Sequence, residues 1–155
     1  MTNAQSGMRE SRFRFLFGRI SQFDRKQIPL LYLRLALGAS FLSGIADRFG
    51  LYTGRNVGYG TFGGFMEYTT KVNSFMPGAV IPFLAWTSTV LELSFGLALV
   101  IGIWVRWAAL GSSVLLLLFA TAMAISFGIK SPLDYSVFSA SAGALILAYL
   151  EFRNK

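Results

Sequence analysis

A predominantly apolar stretch from Ile81 to Ile103 constrains the fold of this chain more than any other feature. About 20 apolar residues in a helix are enough to cross the hydrocarbon core of a bilayer, so this stretch predicts a membrane-spanning helix. A single carboxylate, Glu92, lies near its middle. Because a charged side chain is costly at that depth, we expect Glu92 to face protein or trapped water and to be a functional residue.

The composition agrees with a membrane protein and excludes several kinds of chemistry. Hydrophobic residues make up 54% of the chain and charged residues only 14%, whereas an ordinary soluble domain is less apolar and more charged. Cysteine and histidine are both absent. The chain therefore cannot form disulfides, a thiol nucleophile, a zinc–thiolate site or a histidine-ligated haem. We expect no metal and no covalent cofactor, and any redox cofactor would be organic, such as a quinone.

Further apolar stretches complete an all-α prediction. The first begins just before Pro29, which a helix tolerates in its first turn, and the last follows a Gly- and Pro-containing turn. We predict one membrane domain over residues 28–152, a four-helix bundle in which each helix spans the membrane, at about 28–46, 81–103, 105–127 and 133–152.

A shorter amphipathic segment lies between the first two predicted spans. Phe62, Phe65, Thr69 and Val72 recur at intervals of three and four residues, which indicates a helix with one apolar face. We predict this helix over residues 61–75, lying in the membrane interface within the first extracytoplasmic loop. It would serve either as an interfacial anchor or as a lid over the bundle.

The distribution of lysine and arginine predicts the orientation in the membrane. Residues 1–27 carry six basic residues, and this tail is expected either to lie as an amphipathic helix on an anionic membrane surface or to be disordered. With the tail in the cytoplasm, nine basic residues fall on the cytoplasmic side and four on the other. Both termini, including residues 153–155, are therefore expected to be cytoplasmic. Since the basic residues do not line one face of a soluble fold, the expected partner is the lipid bilayer and not nucleic acid.

Arg34 lies about a turn and a half inside the first predicted span, and its position has two interpretations. The side chain can extend back to the lipid headgroups. Alternatively it can pair across the bundle with Glu92, because opposite charges make each other tolerable in a low dielectric. Counted along ideal helices, Glu92 lies several ångströms deeper than Arg34, so the pairing would depend on the reach of the arginine.

A polar site is expected at the outer mouth of the bundle. The predicted topology places Asp47, Arg48 and Asp134 together there, with Glu92 beneath them. Arg34 and Glu92 are the candidates for a catalytic role. The candidate ligand-binding residues are Arg34, Asp47, Arg48, Glu92, Asp134 and Tyr135.

Small side chains recur every four residues in several spans. Ala36, Ser40 and Gly44 in the first span are expected to pack against a neighbouring helix, because small residues let helix backbones approach closely. A similar face at residues 120, 124 and 128 and another at 140, 144 and 148 fit the same role. One such face could also support a homodimer.

Two motifs carry a family resemblance. The first is Arg34-Leu-Ala-Leu-Gly38, and the second is Glu92 followed by Gly96, Gly102 and Arg106 at a helix boundary. On these residues the chain resembles the DoxX family of small four-span membrane proteins, over roughly residues 30–150. The resemblance implies a bacterial inner-membrane protein. Some relatives are membrane subunits of quinone-linked oxidoreductases, including the DoxD type linked to thiosulfate oxidation, but this chain shows only the shared core and has no cysteine for sulfur chemistry.

Three functions are consistent with these sequence features. In the first, the chain is the membrane subunit of a quinone-linked oxidoreductase or redox-stress complex with a soluble redox partner, in which Arg34 holds a quinone oxygen and Glu92 relays a proton. In the second, it binds or transports a small apolar or weakly acidic compound. In the third, it is an assembly scaffold, and its buried charges only fix the register of the helices.

Overall fold

The computed structural model describes residues 27–54 and 57–153. Within these ranges the chain is 82% helix and contains no strand, which agrees with the all-α prediction. The predicted basic tail lies outside the described residues except for Gln27, and so does the C-terminal end beyond Arg153.

Six α-helices and a short 3₁₀ helix form the described fold. Three of the helical segments are long and apolar enough to cross a membrane, namely α1, the 3₁₀ helix continued by α3, and α4. The helices are α1 (Gln27–Arg48), α2 (Phe62–Val72), the 3₁₀ helix (Gly78–Val80), α3 (Ile81–Ile101), α4 (Val105–Phe127), α5 (Lys130–Asp134) and α6 (Val137–Arg153).

The last predicted span is divided into two helices. Ser136 adopts a left-handed conformation with φ of 55°, which an α-helix cannot accommodate, so α5 ends before it and α6 begins after it. The remaining helix, α6, has 17 residues. The prediction of one continuous helix over residues 133–152 is therefore wrong, because the helix is interrupted at Ser136.

Close approach of glycines joins α1 to α3. A β-carbon added to Gly38 would lie 2.8 Å from Val100 Cγ2 and 3.0 Å from the carbonyl oxygen of Gly96. Six residues further along α1, a β-carbon on Gly44 would lie 3.6 Å from Glu92 Oε2. A later position in α1 thus faces an earlier position in α3, so the two helices are antiparallel in a fixed register.

The packing face of α1 differs from the predicted one. Ala36 and Ser40 are exposed, whereas Leu37, Gly38 and Phe41 are buried. The prediction was wrong for Ala36 and Ser40 because it relied on small size alone. The observed face is rotated by one residue, about 100° around the helix, and combines one glycine for close approach with larger apolar side chains that fill the contact.

The longest helix, α4, packs along α6 through small residues. Ala109 and Ala120 of α4 and Ala144 of α6 are completely buried. Between the two helices, Ser141 Oγ donates a hydrogen bond to the carbonyl oxygen of Ser113 at 2.8 Å. Such contacts are typical of helix association in lipid, where small side chains and interhelical hydrogen bonds supply the stabilisation.

Candidate functional site: a buried ion pair beneath α2

Glu92 forms a buried ion pair with Arg48. Nη2 of Arg48 donates to Glu92 Oε1 at 2.7 Å and to Oε2 at 2.8 Å, and Nη1 donates to Thr89 Oγ1 at 3.0 Å. Both charged residues are only 4% exposed. Charge-assisted hydrogen bonds of this length are among the stronger interactions in proteins, and their burial protects them from screening by salt.

The length of α1 brings Arg48 to this position. The sequence predicts that the first span ends near residue 46, but α1 continues to Arg48. Asp47 and Arg48 are therefore residues of the last helical turn, and their side chains are directed by the helix. From there the arginine reaches Thr89 and Glu92, which lie three residues apart on one face of α3.

Arg34 is not the partner of Glu92. Its Nη1 would lie 3.1 Å from a β-carbon added to Gly102, and Gly102 is ten residues, or about 15 Å of helix, beyond Glu92. The antiparallel register explains the difference, because it sets Arg34 beside the end of α3 and not beside its middle. A cation at this position also interacts favourably with the C-terminal end of the α3 dipole.

Aromatic side chains cover the ion pair. The guanidinium carbon of Arg48 lies 3.6 Å from the ring centre of Phe65 and 6.0 Å from that of Tyr59. The two rings pack edge to face with their centres 5.1 Å apart. Because a cation is attracted to the face of an aromatic ring, Phe65 both covers and stabilises the guanidinium.

Local sequence explains how α2 begins directly above the site. Thr61 caps the helix, and its Oγ1 accepts a hydrogen bond from the backbone N–H of Gly64 at 3.1 Å, as is typical of an N-cap threonine. A β-carbon on Gly64 would lie 2.3 Å from the carbonyl oxygen of Tyr59. Only glycine permits this close contact, so Gly64 allows Tyr59 to lie next to the first turn of α2.

Asp47 binds the backbone of the segment that precedes α2. Its carboxylate accepts hydrogen bonds from the N–H groups of Gly58 at 3.1 Å, Tyr59 at 2.7 Å and Gly60 at 3.5 Å. Successive backbone N–H groups of this kind form a concave site for an anion. Asp47 fills that site and is itself buried.

Tyr59 keeps its proton throughout the physiological pH range. Burial raises the pKa of its hydroxyl from 10.0 to about 12, with a smaller contribution from the neighbouring Tyr68, while the nearby Arg48 charge opposes the shift. The phenol beside the ion pair is therefore a neutral group that can donate a hydrogen bond.

Two of the predicted site residues lie at the surface. Asp134 forms an exposed ion pair with Lys130, four residues earlier in the chain. Tyr135 is 75% exposed and lies near enough to Tyr68 to contribute to a raised pKa of that hydroxyl, which is caused first by burial. Within the described residues, no hydrogen bond or ion pair joins Asp134 or Tyr135 to the Arg48–Glu92 pair.

The predicted helix-boundary residues occupy three separate positions. Gly96 lies in the α1–α3 contact, and Gly102 ends α3 in a left-handed conformation with φ of 88°. Arg106 lies in the first turn of α4, with its guanidinium carbon 5.4 Å from the ring centre of Phe152. None of the three contacts the Arg48–Glu92 pair through the hydrogen bonds of the described residues.

Sequence reasoning did not single out Thr89, Tyr59 or Phe65 as site residues. Thr89 could have been found, since a residue three positions before Glu92 shares its helix face. Phe65 lies on the predicted apolar face of α2, but the pattern does not reveal which helix that face covers. Nothing in the local sequence indicates that Tyr59 is half-buried beside the ion pair. Within the described ranges, no cluster of three acidic, cysteine or histidine side chains could hold a metal ion.

These features define an all-helical membrane protein in which a buried Arg–Glu pair lies beneath a short amphipathic helix. The DoxX family model matches residues 29–127, and the chain belongs to the DoxX family. The matched region extends from α1 to the end of α4 and so contains the whole ion-pair site. No curated protein and no solved structure matched the chain.

Proposed function

We propose that this DoxX protein is the membrane subunit of a quinone-linked oxidoreductase and that the Arg48–Glu92 site binds the quinone headgroup. The observation that carries the proposal is an unused donor. Arg48 is only 4% exposed, yet its Nε, like that of Arg34 beside the end of α3, finds no hydrogen-bond partner in the described part of the chain. Buried donors are nearly always paired, and leaving one unpaired costs about 1–3 kcal/mol. A ligand oxygen at this nitrogen would remove that cost.

The charge balance favours a neutral ligand. The charges of Arg48 and Glu92 cancel, and the carboxylate of Asp47 is already bound by backbone N–H groups. An anionic ligand would add an uncompensated charge in a low dielectric, whereas a quinone brings carbonyl oxygens without charge. The rings of Phe65 and Tyr59 would supply flat apolar contacts for its headgroup.

Arg48 and Glu92 would have different roles in the reduction of a quinone. Reduction of a quinone takes up two electrons and two protons, and the electrons would come from a soluble redox partner. Arg48 would bind and polarise one quinone oxygen through Nε. Glu92, which is hydrogen-bonded to Arg48, would pass both protons in turn to the quinone oxygens and take each from water, as buried carboxylates do in membrane proton relays. In this proposal Arg48 holds the quinone oxygen, a role that the sequence had suggested for Arg34.

The same proposal includes the arrangement in the membrane. We place α6, preceded by α5, as a fourth crossing, since 17 helical residues span about 25 Å and the hydrocarbon core is about 30 Å thick. Nine basic residues, six in the tail with Arg106, Arg153 and Lys155, against four on the opposite side, support cytoplasmic termini in a bacterial inner membrane. Helix α2 would then lie in the outer interface as a lid over the site.

Quinone that purifies with the protein tests this function. We expect a stoichiometric amount in the extract of protein purified in mild detergent, identified by absorbance and mass spectrometry. Glu92→Gln should lose it, while Glu67→Gln, which neutralises an exposed acid on α2, should retain it. Absence of quinone from protein whose helical circular dichroism is intact would refute the proposal.

A scaffold role is the second candidate, favoured by one observation. Both oxygens of Glu92 and both Nη groups of Arg48 already have partners, so the pair can act purely to fix α1 against α3. If the pair has only this role, Glu92→Gln would lower the free energy of unfolding and leave the quinone content of the extract unchanged.

A further inference from the structure

A single cover lies over the Arg48–Glu92 pair, made of the segment Gly58–Gly60 and helix α2. Phe65 of this cover contacts the guanidinium of Arg48, and Tyr59 packs edge to face on Phe65. Only Thr61 separates Gly60 from the first residue of α2. Because the link is so short, movement of the Gly58–Gly60 segment would move the first turn of α2.

The two ends of the cover are held by different contacts. At the far end, Ser126 Oγ of α4 donates to the carbonyl oxygen of Val72 at 2.6 Å and accepts from Ser74 Oγ at 3.1 Å. At the near end, the carboxylate of Asp47 binds three successive backbone N–H groups of the Gly58–Gly60 segment. Bonds to a charged acceptor are roughly twice as strong as neutral ones, so the near end is held by the stronger contact.

We infer that Asp47 is a latch that keeps the cover of the Arg48–Glu92 site closed. Its hydrogen bonds in the described structure go to the cover and not to the ion pair. Releasing them would let α2 tilt away as a rigid helix about its far end, which exposes its buried face including Thr69, while the bonds between Arg48 and Glu92 stay intact. Asp47 is thus a positioning residue that governs access. The inference rests on the proposed function only in naming a quinone headgroup as the ligand admitted.

The absence of native cysteine allows a direct accessibility assay. Thr69 lies on the buried face of α2, and Thr69→Cys places a thiol of similar size beneath the cover. Ser112, completely buried in α4, gives a second reporter, Ser112→Cys, within the helix packing and away from the cover. The rate of reaction with a water-soluble maleimide is measured for each reporter in purified protein in detergent.

Opening of the cover should raise the labelling rate of only one of the two reporters, Thr69→Cys. We expect Asp47→Ala to raise the labelling rate of Thr69→Cys by about tenfold or more, which corresponds to about 1.4 kcal/mol in the opening equilibrium, and Asp47→Asn to raise it less, since the amide keeps one acceptor oxygen. The matched control Asp134→Asn removes an exposed acid that holds no backbone, and it should leave the rate unchanged. Ser112→Cys should stay unreactive in every variant.

Two results would overturn the inference. An unchanged Thr69→Cys rate in Asp47→Ala would show that the carboxylate does not hold the cover. Reaction of Ser112→Cys together with Thr69→Cys in both Asp47 variants would show that Asp47 supports the whole fold and not the cover. Because the assay is run on delipidated protein, from which quinone has been removed, its outcome is independent of whether the site binds one, and failure of quinone binding would leave the latch result standing.

Discussion

Arg48 and Glu92 lie 44 positions apart in the sequence and are joined by two hydrogen bonds of 2.7 and 2.8 Å. The pair links the last turn of α1 to the middle of α3, in a part of the protein from which water is largely excluded. Each charge is tolerable there only because the other is present. The stability of the helix packing and the chemistry of the site therefore depend on the same two side chains.

The interdependence of the pair is measurable. Replacing either residue alone, as in Glu92→Gln or Arg48→Gln, should lower the free energy of unfolding by about 3–5 kcal/mol, because one buried charge is left unpaired. The double variant Arg48→Gln with Glu92→Gln should lose less free energy of unfolding than the sum of the two single changes. Thermal unfolding in detergent, followed by circular dichroism, gives the comparison.

The exposed pair Lys130–Asp134 is the control for this cycle. Removing the Lys130–Asp134 ion pair should change the free energy of unfolding by only about 0.2–1 kcal/mol. Additive effects at Arg48 and Glu92 would show that the two residues do not interact.

Arg34 should behave independently of Glu92. It lies beside Gly102, about 15 Å along α3 from Glu92, and residues so far apart without shared partners usually have additive effects to within about 0.5 kcal/mol. The double variant Arg34→Gln with Glu92→Gln, measured in the same unfolding assay, tests this. A coupling energy above about 1 kcal/mol between the two would contradict the observed register.

Because α1 packs closely on α3, adding a single methyl group at Gly38 should lower the free energy of unfolding. Gly38→Ala would bring a β-carbon within 3.0 Å of the Gly96 carbonyl oxygen, and a backbone atom cannot rotate away. We expect a loss of about 1–3 kcal/mol in the free energy of unfolding. Gly78→Ala is the matched control, since nothing lies within 4 Å of its added carbon. Equal melting temperatures for the two variants would be incompatible with this contact.

Burial of Tyr59 predicts a loss of stability in alkali. Its pKa is about 12 in the folded protein, against 10.0 for an unperturbed tyrosine, so the unfolded chain releases this proton first. Stability should be unaffected below pH 10 and should fall as the pH rises towards 12. A spectroscopic titration of tyrosinate should lose a component near pH 12 in Tyr59→Phe. Loss of a component near pH 10 instead would mean that Tyr59 is open to water.

Much of the helical framework could be predicted from the sequence. The periodicity and length of the apolar stretches reflect burial in lipid, which acts along the whole helix and so leaves a clear pattern. The predicted stretch 105–127 coincides with α4, and 81–103 exceeds α3 by two residues because Gly102 ends the helix. At Ser136 the pattern failed, because the backbone conformation of a single residue leaves no hydropathy signal.

The site was harder to predict because it depends on the register between helices. Depth counting placed Glu92 at mid-depth and led only to Arg34 as its possible partner, not to Arg48. The pairing with Arg48 follows from how far α1 continues and from the contact of Gly38 with Gly96. A hydropathy pattern contains neither quantity, because both are set by packing between segments distant in the chain.

Isothermal titration calorimetry of delipidated protein with a short-chain benzoquinone shows whether the Arg48–Glu92 site binds a quinone. We expect saturable binding that Arg48→Lys weakens by about tenfold or more, because lysine keeps the charge beside Glu92 but lacks Nε–H, and a hydrogen bond from a charged donor contributes about 1.5–3 kcal/mol. Arg34→Lys, the matched control, should bind like the unaltered protein. Absence of saturable binding to the folded protein, or equal affinities of the Arg48→Lys variant and the unaltered protein, would contradict the assignment of this ion pair as a quinone site.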